Sequence, residues 1–538
     1  MTFPVLPPAA LSTDTELVLL GVLLAVAALF VASALSEIPY PILFVLGGLT
    51  LGFVPGVPNV QLNPDLVLVI VLPPLLYSAA FFSSLRDLRA NVRQISFLSI
   101  GLVLATTFAI AAVAHAWIDD LSWEAAIVLG AIVSPTDAIA ATSIGQRLNA
   151  PRTVVTVIEG ESMINDATAL IVYRFAVAAV VSGSFSLSSA AMEFVASAAG
   201  GVAIGLAVGW VVAQVRRRLD DAPTEIALSL LTAYFAYLPA VAVGASGVLA
   251  AVTTGIFLGW RAPVLVTSPA TRLQAYAVWE ILVFVVNAFL FALLGLQFHE
   301  LVNRLHGFST ATLVGYGALV SATVILVRIA WVVPFTFLSR GLSRHFRQGD
   351  SGPWQAPLLI SWTGMRGAVS LAAALAIPLE TDAGAAFPAR DLIVFLTFCV
   401  IIGTLVLQGL TLPSLIRKLR VPDDDGAERE ELKARKLAAK AAIARIDELA
   451  AENWVRDETA GRMRALYDYR LRRFAARFDD GDDGALEEQS LGYQRLRREA
   501  LEAERAAVYD LRNRGMINDE VMRRVVRDLD LEDTRLEI

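Results

Sequence analysis

The sequence predicts an all-α integral membrane protein, with about thirteen transmembrane helices and then a helical soluble tail. Three observations carry that reading. Of 538 residues, 56% are hydrophobic and only 18% charged, with mean hydropathy +0.61; soluble domains average about 25% charged residues. The charges are unevenly spread, sparse before Arg420 and dense after it. That shift divides the chain into a membrane domain, 1–420, and a tail, 421–538. Finally, apolar runs of ~20 residues, enough to cross ~30 Å of hydrocarbon, recur throughout the first part.

In chain order the runs lie near 15–35, 39–56, 64–82, 94–117, 123–145, 153–182, 188–215, 224–243, 244–260, 276–298, 310–338, 356–378 and 391–416. The eighth and ninth are divided by Pro239 and the small residues after it. Met1 to Glu16 carry no Lys or Arg, so the basic leader of a secretory signal is absent and the first run is expected to stay as a helix. Loop charge orders the runs across the membrane. Arg86, Arg89 and Arg93 follow the third; Arg147 and Arg152 the fifth; Arg216, Arg217 and Arg218 the seventh. Arg261 and Arg272 follow the ninth, Arg340, Arg344 and Arg347 the eleventh, and Arg417, Lys418 and Arg420 the last. The opposite loops hold only Arg304 and Arg390, beside Asp119, Asp120, Glu124, Glu380 and Asp382. Basic loops face the cytoplasm. The N-terminus is therefore expected outside and the tail inside.

Within the tail, 428–452 and 486–514 are rich in Ala, Leu, Glu, Lys and Arg, which favour helix. Between them, Asp479-Asp480-Gly481-Asp482-Asp483-Gly484 reads as a flexible acidic break. The net charge of −7 mostly reflects this tail and argues against nucleic acid as a partner. A lone cysteine, Cys399, excludes disulfides within the chain and cysteine-rich metal sites. His115, His299, His306 and His345 sit near span ends or in loops, without metal-ligand spacing. Glycines at 201, 205 and 209, and at 244, 247, 255 and 259, suit close helix packing. No Walker motif is present, so no nucleotide cofactor is expected to drive transport.

Ionisable residues deep in a bilayer cost ~2.5–3.5 kcal/mol each and are functional candidates by default. Few occur: Asp137, Glu161, Asp166, Arg328 and Arg366, with Glu159, Arg174 and Glu280 nearer span ends. In the fifth span, Ser134-Pro135-Thr136-Asp137 contains a proline that removes a backbone donor and clashes with the preceding turn. An acid after such a break meets the positive end of a half-helix. Asp137 can balance that dipole or bind a cation; a plain proline kink with a capping aspartate is the alternative. In the sixth span, Glu161, Ser162, Asn165 and Asp166 form one polar stripe, since residues four apart share a helix face. Burial disfavours the charged form of a carboxyl. A secluded aspartate can therefore exchange a proton for a hard monovalent cation, because the two compete for the same oxygens. A purely structural salt-bridge network is the competing reading, and it suits Glu161 better than Asp166. Arg328, at mid-span and permanently charged, needs an acid, which predicts a Glu161–Arg328 ion pair. In the twelfth span, Gly364-Met365-Arg366-Gly367 suggests a second interruption. Interrupted helices at corresponding places in two halves point to a site between inverted repeats. Spans five and twelve are seven apart, an odd offset, so spans one to six would recur upside down as eight to thirteen.

Ser134-Pro135-Thr136-Asp137, Glu159-Gly160-Glu161-Ser162-Met163-Ile164-Asn165-Asp166 and Gly364-Met365-Arg366-Gly367-Ala368-Val369-Ser370-Leu371 resemble signatures of the monovalent cation/proton antiporter family. The sodium/proton exchanger branch, in its long bacterial form with a cytoplasmic tail, is the most similar. The resemblance implies crossed broken helices with Asp166 as the proton and cation carrier, and Ser162, Thr136 and Asp137 completing or lining the ion site. It further implies that Asn165 stabilises the crossing, that Glu161 and Arg328 pair, and that Arg366 sits at the second crossover. A homodimer, an elevator-like motion of spans four to six and eleven to thirteen, and electroneutral exchange by the single carboxylate are also implied. Sodium is the expected cation, with lithium or potassium as alternates. A K+/H+ antiporter remains an alternative, as does a cation channel or ion sensor, although a channel would show a continuous polar lining. No nucleophile–base pair or metal-ligand set points to an enzyme. The expected setting is the plasma (inner) membrane.

Overall fold

The computed structural model describes residues 13–36, 38–54, 67–147, 150–183, 187–265, 268–305, 307–345, 354–419, 425–476 and 484–534. His306, Arg347, Arg420 and the acidic break up to Asp483 lie outside them, as do 64–66 of the third expected span. The chain divides into two compact units, Met1–Asp423 and Asp424–Ile538.

The first unit is helical in its described residues apart from short connections and an isolated β-bridge between Glu380 and Ala386. It opens with α1 (Thr13–Leu35) and α2 (Tyr40–Gly52), then α3 (Val67–Phe82), which starts in a π-helical turn. A short helix α4 (Leu85–Ala90), capped by Ser84, leads to α5 (Val92–Trp117), which holds a second π-helical turn. The fifth apolar run is two helices, α6 (Trp123–Val133) and α7 (Ala138–Arg147). Then come α8 (Arg152–Ser182), α9 (Leu187–Arg216), α10 (Ala222–Ala242), α11 (Gly247–Leu265), α12 (Pro269–Arg304) and α13 (Thr310–His345). The twelfth run is also two helices, α14 (Ala356–Trp362) and α15 (Ala368–Leu375), before α16 (Arg390–Leu419). Among the described residues, nine helices are long and apolar enough to cross a membrane, taking α6 and α7 as one. Three shorter apolar helices accompany them, within α1, α2 and α3. The protein is thus an all-α, multi-pass membrane protein with several long apolar helices and two interrupted ones.

Two sets of helices pack most closely among themselves. In one, α5, α6, α8, α13, α14, α15 and α16 surround the two interruptions. In the other, α2 lies along α12, α11 along α3 and α9, and α10 on α9, α11 and α12. Small residues let these backbones touch. A Cβ added at Gly48 of α2 would strike the Ala292 carbonyl of α12, and one at Gly295 would strike the Val45 carbonyl. Where α9 meets α11, Gly201 faces the Ser246 carbonyl and Gly205 the Ala250 carbonyl, the close packing that the glycine spacing suggests.

The described residues of the second unit form four helices: α17 (Asp425–Leu449), α18 (Asp457–Ala476), α19 (Gly484–Asn513) and α20 (Asp519–Thr534). The first and third coincide with the two expected helices to within a few residues; the other two were not anticipated. Each unanticipated helix pairs with its predecessor through side-chain ions, Arg464 with Asp447 at 2.5 Å and Arg505 with Asp533 at 2.8 Å. Both are poor in apolar residues overall, although those of α20 recur on one helix face, a periodic signal that sequence reasoning missed.

Candidate functional site

Proline explains the first interruption locally. Pro135 cannot donate to the preceding turn, and α6 stops at Val133 while α7 starts at Ala138. The freed groups find partners across the fold. Asp137 N donates to Met365 O at 2.8 Å, and the Arg366 guanidinium donates to Ser134 O. Met365 and Arg366 belong to the second interruption, residues 363–367, so the two broken helices meet backbone to backbone. Glycine permits that approach, because a Cβ at Gly367 would collide with the Asp137 carboxylate. Within the first break, Ser134 Oγ turns back to Ala131 O at 2.9 Å, and Ile139 N donates to Asp137 Oδ1 at 2.8 Å.

Helix α8 crosses beside this junction and presents its polar stripe. Asn165 Nδ2 donates to Thr136 Oγ1 at 2.7 Å, and Thr136 Oγ1 donates to Glu161 Oε1 at 3.0 Å. Glu161 accepts two bonds from Arg328 of α13, Nη1 at 2.5 Å and Nη2 at 2.9 Å, and both residues are 1% exposed. Arg328 Nε donates to Ile360 O of α14 at 3.0 Å. This chain of bonds ties α8, α13 and the ends of both broken helices together. A buried pair of this kind is costly to break, because the surviving charge is left without a partner.

Asp166 differs from Glu161. It is 6% exposed, and no hydrogen bond or ion pair from a described residue reaches its carboxyl. It lines a cavity of ≈ 80 Å³ with Thr136, Asp137, Ser162, Gly367 and Ser370, room for a cation and a few waters at about 10–15 Å³ each on this measure. The Ser162 hydroxyl accepts from Ala138 N at 3.4 Å. Leu72, Leu75 and Leu76 of α3 form an apolar wall. The cavity can shelter a small cation among carboxylate, hydroxyl and carbonyl oxygens, the donor set that suits hard ions.

All eight candidate residues fall in this region, in two layers. Thr136, Asp137, Ser162 and Asp166 face the cavity. Asn165, Glu161, Arg328 and Arg366 are at most 1% exposed, behind or beside it. Sequence reasoning missed Thr404 of α16, whose Oγ1 accepts from Arg366 N at 3.1 Å, and the wall supplied by α3. It also missed Gln408, fully buried near Arg328 across from Gly364. A hydroxyl in an apolar helix gives no signal, since it can bond its own backbone, as Thr404 does to Val400 O at 2.7 Å.

Comparison with known proteins agrees with this architecture. A family model described as "Sodium/hydrogen exchanger, transmembrane" matches residues 21–418. An uncharacterised Na(+)/H(+) exchanger of Mycobacterium tuberculosis is 37% identical over 503 residues, covering 92% of this chain and 91% of that one. An uncharacterised Na(+)/H(+) exchanger of Escherichia coli is 32% identical over 520 residues, 92% and 93% of the two chains. A sodium, potassium, lithium and rubidium/H(+) antiporter of Bacillus subtilis is 33% identical over 392 residues, 70% of this chain and 58% of that one. Among solved structures, a sodium proton antiporter from Methanocaldococcus jannaschii at pH 8 superposes with TM-score 0.56 and 19% identity. That superposition covers 76% of this chain and 99% of that one, a likeness of fold.

Proposed function

Since the chain belongs to the sodium/hydrogen exchanger family, we propose that it exchanges its ions at Asp166. The protein is a secondary active antiporter that moves Na+, or a related cation, against H+ and so serves cation and pH homeostasis; it is a transporter, not an enzyme. In our reading the Asp166 carboxylate holds either a proton or a cation, with Ser162, Thr136 and Asp137 lending oxygens or lining the site. Asn165 steadies the crossing, the Glu161–Arg328 pair fixes α8 to α13, and Arg366 holds the two breaks together. One observation carries the assignment. Asp166 faces the cavity without a polar partner among the described residues, while the neighbouring acid, Glu161, is fully engaged. Only the former is free to change its occupant.

The finer architecture is also proposed. Residues 1–420 form the exchanger domain, of thirteen spans arranged as inverted repeats, one to six and eight to thirteen. Residues 421–538 form a cytoplasmic tail. The basic loops after odd-numbered spans support an outside N-terminus and a plasma-membrane setting. The packing of α5, α6, α8 and α13 to α16 around the breaks supports a core that moves as one body against the other helices, in a homodimer. A single exchanging carboxylate supports one cation per proton, hence electroneutral turnover, with sodium as the main cation and lithium or potassium as alternates. The test is a pH-sensitive dye in everted vesicles. Adding sodium should give a saturating pH change that disappears in Asp166→Asn; undiminished exchange in that variant removes Asp166 from the mechanism.

A further inference from the structure

We propose that Glu159 is a capture site that draws the cation into the cavity from one side of the membrane and passes it to Asp166. The idea rests on the carrier reading of Asp166 and extends it to the route of entry. Glu159 lies seven residues before Asp166 on α8. At 100° per residue the two share one face, and at ~1.5 Å rise per residue they stand roughly 10 Å apart along the axis. Both line the same cavity, with Ser162 and Met163 between them. The same lining includes apolar side chains, Leu72, Leu75, Leu76 and Ala79 of α3 and Val369 of α15. Among the described residues the lining contains three ionisable groups, Glu159, Asp137 and Asp166. Asp137 is held through Oδ1 by the backbone N–H of Ile139, while its Oδ2 is buried without a partner among the described residues. Glu159 is part-exposed, and no hydrogen bond or ion pair joins it to any described residue.

Its placement contrasts with that of Glu161, two residues on, which points to the opposite side of α8 and is locked to Arg328. A structural acid would have such a partner. An unengaged carboxylate at the edge of a low-dielectric corridor concentrates counter-ions there, because apolar walls focus its field. An incoming cation then meets oxygens in sequence, first Glu159, next the Ser162 hydroxyl, then Asp166. Each replaces part of the lost hydration before the next step. Glu159 lies toward the end of α8 that begins at Arg152, the end we assign to the cytoplasm. Its influence is therefore one-sided.

Glu159→Gln keeps shape and removes charge. In everted vesicles, sodium added outside reaches the cytoplasmic face, and the apparent KM for sodium should rise roughly three- to tenfold, with maximal rate close to wild type. Sodium presented to the other face, in right-side-out proteoliposomes, should show an unchanged KM. Glu159→Asp, which keeps the charge, should fall between Gln and wild type. An unaltered KM in Glu159→Gln overturns the proposal. So does an equal change from both faces, or an equal change in the Asp and Gln variants, since each shows that the charge is not acting as a one-sided attractor. Should Glu159→Gln lose folded protein by thermal unfolding in detergent, the Asp variant and the two-sided comparison decide alone. Asp166→Asn is run alongside. Exchange surviving there sinks the carrier assignment, whereas wild-type cation dependence in Glu159→Gln sinks only the capture site.

Discussion

Glu161 and Arg328 are each 1% exposed and share two hydrogen bonds. Two charges this deep are costly singly and tolerable together. Glu161→Ala should therefore destabilise the protein by about 3–5 kcal/mol through the stranded guanidinium, read as a lowered midpoint of thermal unfolding in detergent. Replacing both residues by apolar ones of similar volume should cost much less than the two single losses combined. A double-mutant cycle with no coupling between the two positions would contradict this account. The pair was legible in the sequence for a plain reason: a permanent cation at mid-membrane has few acids to choose from. The partners of Arg366 were not legible. Its guanidinium meets the Ser134 carbonyl and its backbone N–H meets Thr404, and neither a carbonyl nor a lone hydroxyl stands out from an apolar helix.

At the scale of elements, the two breaks act as one joint. Asp137 N bonds Met365 O, and Gly367 leaves just enough room for the Asp137 carboxylate. Gly367→Ala should push these segments apart and abolish most exchange, since a methyl there has no space to occupy. Dye-based transport would show this, and near-normal rates would refute the close approach. Farther off, Gly295→Leu should separate α12 from α2, whose backbones touch at that point, and should lower thermal stability more than it lowers the affinity for cation. The proline of the first break and the glycines of the second announce themselves in the sequence, because both residue types act on the backbone directly. The π-helical turns at Val67–Val71 and Phe97–Leu102 do not, since a one-residue shift in bonding needs no particular side chain. Nor does α4 (Leu85–Ala90), too short to show a period.

For the whole molecule, Met1–Asp423 and Asp424–Ile538 are separate compact units, and the family match ends at residue 418. A chain stopped after Asp423 should keep cation-driven exchange at no less than roughly half the wild-type rate, as expected for compact units that fold separately; complete loss in a well-folded truncated protein would give the tail an essential part in turnover. The isolation of Asp166 also reaches the scale of the organism's energy supply. Moved across the barrier with nothing bound, that carboxylate would travel as a naked anion, with no donor from the described residues to soften a penalty of several kcal/mol. On the proposed mechanism such empty journeys would be rare, and passage in one direction would oblige passage in the other. If Asp166 is the proposed carrier, the same loneliness that would free it to swap occupants would also guard against slippage, so that ion gradients would be spent on useful work.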